Sequence, residues 1–216
     1  MLKDLKSSLI AVVLTTLVFG LAYPLAFTGV SQVLFPGKAD GSKVTQNGKV
    51  VGSKLIAQQA FMLAPVPKGV KKPDGRKVMR VPDPAYFQPR PSATGYDPSV
   101  TFFGNLAPNS KDARNAFKAN LGSYLAFEQP YDAGLTAADV PIDAVTESGS
   151  GVDPAISEAN AHIQAHRIAA VRHLSLDRVN SLISDNTDGR FLGVFGEPAV
   201  NVLELNLALD KEAPIK

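Results

Sequence analysis

No charged residue occurs between Ser7 and Gly37, and most of that stretch is apolar. Crossing a bilayer as a helix takes roughly 20 apolar residues. Leu9 to Val30 meets that length, and no later segment does. The expected organisation is a short tail at 1–7, a span at 8–35, and one soluble domain of residues 36–216. A cleaved signal peptide fits less well. Its apolar core is usually about 7–15 residues long and ends at a small-residue cleavage site, and no Ala-x-Ala follows this run.

The span has internal features of its own. Ala22, Ala26 and Gly29 fall on one helical face, with Gly20 nearby, and such small residues let a second helix approach closely. Pro24 removes a backbone donor and is expected to interrupt the helix at Tyr23-Pro24. Lysines lie on both sides of the span, so charge alone leaves the orientation open.

Composition excludes several function classes. Without cysteine there is no thiol catalysis, no cysteine zinc site, no disulfide and no lipoprotein anchor. A net charge of +2 gives no global field for nucleic acid.

The soluble part reads as α+β. Lys43 to Val51 predicts a hairpin turning at Asn47-Gly48, with strand continuing to Ile56. From Ala64 to Pro98 eight prolines predict an extended, loop-rich region. A basic run there (Lys68, Lys71, Lys72, Arg76, Lys77, Arg80) is broken only by Asp74. It reads either as a solvated insertion or as a contact for anionic headgroups or an acidic partner. Ser110, Ser157 and Ser175 predict N-caps of three helices. Val140 to Val145 suggests a short strand. Leu203, Leu205, Leu207 and Leu209 alternate with polar residues and predict a closing strand.

Little in the pattern points to catalysis. His162 and His166 are spaced i, i+4, but the glutamate that would make a zinc-protease pair is replaced by Ile163. Ser148-Gly149-Ser150-Gly151 is a donor-rich loop before a helix and lacks the Lys-Ser/Thr ending of a phosphate loop. The residues alone predict a membrane-anchored accessory protein with no catalytic residues, metal or cofactor of its own.

Several ordered blocks resemble the C subunit of the bacterial Kdp potassium-transporting ATPase. They are Thr16 to Val30 with Gln32-Val-Leu-Phe-Pro; Tyr86-Phe87 with Arg90-Pro-Ser-Ala and Tyr96-Asp-Pro; Asn105-Leu106 with Pro108-Asn109; Val145 to Pro154; Gln164 and Arg167; and Gly196 to Leu209. Two stretches depart from the family pattern. Residues from about 62 to 84 look like a basic, proline-containing insertion, and Phe102-Phe103-Gly104 replaces a small-residue stretch.

The resemblance implies a noncatalytic subunit of an ATP-driven potassium uptake complex in the bacterial inner membrane. Its partners would be a channel-like potassium-translocating subunit, a P-type ATPase subunit and a small single-span subunit. It implies a cytoplasmic N-terminus and an extracytoplasmic domain, with ATP and potassium serving the complex. It also implies a chaperone role that raises the pump subunit's affinity for ATP. Gly20, Ala22, Pro24, Ala26 and Gly29 would pack against a partner helix. Asn105, Ser148, Gly149, Ser150, Gly151, Asp153, Gln164, Arg167 and Asn201 would meet a partner or guide ions at the entrance. Turn-making and internal hydrogen bonding are the competing roles for that polar set. The competing reading of the whole chain is a stand-alone anchored hydrolase or ligand-binding module.

Overall fold

The computed structural model describes residues 2–66, 77–100 and 102–215. The chain divides into two compact units, 1–53 and 54–216.

The first unit begins with a helix from Leu2 to Leu34, whose most apolar window has a mean hydropathy of 2.2. It comprises α1 (Leu2–Thr15), a π-helical segment (Thr16–Ala22) and α2 (Tyr23–Leu34). At 1.5 Å per residue it is about 50 Å long, more than the roughly 30 Å of bilayer hydrocarbon. Pro24 does not interrupt it, contrary to the expectation from sequence. Its ring would collide with the carbonyl four residues back in a plain α-helix. The π turn just before it opens the backbone instead, and Tyr23 donates to the carbonyl of Val18, five residues back. Thr28 Oγ1 donates to the Pro24 carbonyl at 2.8 Å. After α3 (Pro36–Ala39), strands β1 (Lys43–Gln46) and β2 (Lys49–Ser53) form the expected hairpin. Asn47 and Gly48 both take positive φ, at 51° and 75°, as a type I′ turn requires.

The second unit carries the core. Strands β3 (Phe61–Pro65) and β4 (Val78–Pro82) pair antiparallel, so part of the region expected to be loop is a ribbon. Proline is tolerated at Pro65 and Pro82 because each stands at a strand end. Of the basic run, Lys68, Lys71, Lys72 and Arg76 lie outside the described residues.

Three serines cap as their sequence positions require. Ser110, Ser157 and Ser175 accept from the backbone N–H three residues on, starting α4 (Lys111–Glu128), α5 (Glu158–Arg172) and α6 (Leu176–Asp185). α5 ends at His173 in the left-handed region, φ 57°.

Two strand expectations are corrected. Residues 142–144 form a single 3₁₀ turn after Pro141, held by Asp143, which accepts from the Ser157 backbone N–H and hydroxyl and from Asn160. The closing segment is strand only at β7 (Ala199–Asn201) and then becomes α7 (Val202–Glu212). Asn201 caps α7 by accepting from Glu204 N–H, and Leu205 and Leu209 are buried at helical spacing. β7 lies at the centre of a small antiparallel sheet, between β5 (Ala155–Ile156) and β6 (Thr187–Asp188). The core packs Ala161, Ala165 and Ile168 of α5 against Val179 and Ile183 of α6 and Leu205 of α7.

Candidate functional site

Beside its apolar stripe, α5 buries a polar one. Asn160, Gln164 and Arg167 lie at i, i+4, i+7 and are each at most 1% exposed. Buried polar groups need partners. Asn160 bonds Tyr124 and Asp143, whereas Gln164 and Arg167 reach Pro84–Gln88, a stretch of turn and coil outside any strand. Gln164 accepts from the Gln88 N–H at 2.7 Å and donates to its carbonyl at 3.0 Å. Asn206 of α7 does the same for Phe87, at 2.9 Å each way. Arg167 Nη1 donates to the carbonyls of Pro84 and Tyr86, at 2.6 and 2.9 Å. Arg172 Nε donates to the Ala85 carbonyl at 2.8 Å. Side chains of two helices thus satisfy the backbone of this segment, and Phe87 between them is wholly buried.

The Arg167 guanidinium also meets Glu128 at the end of α4, with Nε 3.1 and 3.0 Å from the two carboxylate oxygens. Its Nη2 reaches Gln164 Oε1 at 2.9 Å, and its carbon lies 4.5 Å from the Phe127 ring centre. Burial pushes the Glu128 carboxyl up and the Arg167 guanidinium down, and their mutual attraction opposes both shifts. Tyr124, which donates to Asn160 Oδ1 at 2.9 Å, is raised by burial and then by the Glu128 charge.

The second cluster is the loop at 146–153. The residues after Pro89 dock on it. Arg90 pairs with Asp153 at 3.2 Å and donates to the Glu147 carbonyl at 3.2 Å. The Ser92 hydroxyl donates to the Gly151 carbonyl and accepts from the Thr94 and Tyr96 N–H groups. Tyr96 donates to the Arg90 carbonyl, and burial pushes its phenol up to about 12. Gly151 sits at φ 72°, where a Cβ would stand 2.8 Å from the Phe102 carbonyl oxygen. Any side chain there is strained and pushes the two loops apart.

The residues singled out from sequence therefore separate. Asn105, Ser148 and Gly149 line one cavity of about 410 Å³, between the loop and α4. Ser150 and Asp153 accept from the Val152 and Ala155 N–H groups inside the turn. Gln164 and Arg167 belong to the buried network. Asn201 caps α7 and donates to the Lys54 carbonyl at 2.8 Å. In the first unit, Gly20 and Ala22 fall in the π-helical segment and Pro24, Ala26 and Gly29 in α2; a Cβ on Gly29 would meet nothing within 4 Å.

Reading the sequence missed Glu128, Asn160, Gln88 and Asn206. Asn160 had a signal, since it precedes Gln164 by one helical turn. A second cavity of about 340 Å³ is walled by Tyr96, Tyr124 and Phe127 together with Gln88, Asn160 and Gln164. His162 bonds Asn180 at 2.9 Å, and no group of three or more potential metal ligands gathers among the described residues. Chemically, the site is a clamp. Its charged and amide groups fix backbone and hold two loops in register.

The family model for the K+-transporting ATPase c chain, KdpC, matches residues 5–211. A potassium-transporting ATPase KdpC subunit from Kineococcus radiotolerans is 40% identical over 216 residues, covering 99% of this chain and 96% of the relative. The protein of the same name from Beijerinckia indica subsp. indica is 39% identical over 218 residues, covering 100% and 98%. That from Streptomyces avermitilis is 41% identical over 213 residues, covering 95% and 92%.

Proposed function

Because the chain belongs to the K+-transporting ATPase c chain family, we propose that it is a noncatalytic accessory subunit of an ATP-driven potassium uptake complex. The observation that carries this is the match along 5–211, which takes in the apolar helix and the folded domain together. A noncatalytic role is supported by where the buried polar side chains are committed. Arg167, Arg172, Gln164 and Asn206 hold backbone groups of this chain.

In this reading the chain crosses the bacterial inner membrane once, with its N-terminus in the cytoplasm and its domain outside. It assembles with a channel-like potassium-translocating subunit, a P-type ATPase subunit and a small single-span subunit. Ala22, Ala26 and Gly29 form the packing face for a partner helix, where close backbone approach favours association. The loop at 146–153 and Asn105 are offered to the channel-like subunit near the ion entrance, held rigid by Arg90 and Ser92. An effect on ATP affinity passes through the span, by favouring one of two states of the pump subunit; coupling of that kind needs no shared site. ATP and potassium are ligands of the complex.

The test is growth. In a strain whose other potassium uptake systems have been removed, deleting this chain should abolish growth at micromolar potassium, and restoring it should recover growth. Unimpaired growth of the deletion strain would refute the proposal.

A further inference from the structure

The β3–β4 ribbon is unlike the rest of its unit. Opposed residues of an antiparallel pair share a face, which places Phe61, Leu63, Pro65, Val78, Arg80 and Pro82 together. All six are exposed, with Phe61 at 42%, Leu63 at 62% and Val78 at 44%. Among the described residues the only charge on that face is Arg80, whose guanidinium carbon lies 4.1 Å from the Phe61 ring centre. Beyond Val78 comes exposed Lys77, whose carbonyl accepts from Val66 N–H at 3.0 Å and extends the pairing. An exposed apolar face of this kind marks a contact surface.

Charge indicates what it contacts. Residues 61–82 hold six basic residues and one acidic, net +5, whereas the other residues of 54–216 hold eleven basic and seventeen acidic, net −6. Four of the six basic residues lie in the stretch that connects the two strands, outside the described residues. The domain body is repelled by a negative surface and the ribbon is drawn to it. An apolar face that carries Arg80 and is followed by Lys77 has the pattern of an element lying in the interface of an anionic bilayer. The chain also carries its own span, so a bilayer is always within reach and contact is effectively intramolecular.

We propose that the β3–β4 ribbon docks on an anionic phospholipid surface. Phe61, Leu63 and Val78 enter the headgroup region, and Arg80 and Lys77 meet the phosphates. This stands on the chain's own span and does not depend on its partners.

The chain has no tryptophan, so Leu63→Trp gives a single reporter. The full-length variant is reconstituted alone in phosphatidylcholine vesicles, with or without about a third phosphatidylglycerol, with headgroup-proximal brominated lipid as quencher. The proposal expects blue-shifted, strongly quenched emission only with phosphatidylglycerol, reversed by about 0.5 M salt as the Debye length falls to a few ångströms. Adding Lys77→Glu and Arg80→Glu should weaken docking at least about twentyfold, at roughly fivefold or more per charge. Equal quenching in both lipids would mean apolar insertion without charge recognition and would overturn it. Absence of quenching in either lipid, as expected if the occupant is an acidic protein, would also overturn it. The salt titration needs only Leu63→Trp, so the test survives misfolding of the charge variant.

Discussion

Replacing Arg167 by methionine should destabilise the domain by about 3–5 kcal/mol, because it leaves a buried charge without its partner. Methionine fills much of the volume, so the loss reports the guanidinium's bonds more than a cavity. Arg167 is 0% and Glu128 2% exposed, so water cannot replace those bonds. A pairwise ion bridge would be largely rescued by also replacing Glu128 with leucine. Here rescue should be partial, because the Pro84 carbonyl loses its donor and the Tyr86 carbonyl keeps only Gln88 Nε2 at 3.3 Å. Denaturant unfolding of the detergent-solubilised chain, followed by circular dichroism, reads both. A single variant within about 1 kcal/mol of the parent, or full rescue in the double, would contradict the clamp.

Phe87→Ala should cost a similar amount, about 3–5 kcal/mol. Its ring is wholly buried in the core cluster, and its N–H and carbonyl are both bonded to Asn206. The loss should reach beyond the core, because the segment it pins leads directly into Arg90 and Ser92, which hold the loop at 146–153. Proteolysis within 90–100 and 146–153 should therefore accelerate in the variant before global unfolding. Unchanged protection there would separate the core from the loop and weaken the account. For a domain whose total stability is on the order of 5–15 kcal/mol, either substitution removes a large share.

How much could be read in advance follows the range of each interaction. The caps at Ser110, Ser157 and Ser175 act over three residues, and the Asn47-Gly48 turn acts over two. Both were legible because the sequence that specifies them is contiguous. Asn201 with Glu204 is an equally local signal, but the alternating leucines after it fit a strand period as well as a wide helical face. The cap decides for helix. Val140 to Val145 failed for a related reason: Asp143, the residue that fixes the turn, takes its partners from the start of α5. Pro24 predicts an interruption, and the π turn just before it keeps the helix continuous instead.

The site was half legible. Gln164 and Arg167 stood out through the family blocks, together with Tyr86-Phe87. What joins them is sequence-distant. Gln164 meets Gln88 76 residues away, and Asn206 meets Phe87 119 away. Glu128 and Asn206 look like solvent-facing polar residues until the fold buries them. Gln164 and Arg167 serve internal bonding, one of the two roles expected, and Asn105, Ser148 and Gly149 line the cavity beside α4.

The central claim, that this chain works within a potassium-transporting ATPase, is tested most directly by purification in mild detergent of the tagged full-length chain from potassium-starved cells. The account predicts co-purification of a P-type ATPase whose ATP hydrolysis is stimulated by potassium. Recovery of the chain alone, from cells in which that ATPase is expressed, would contradict it.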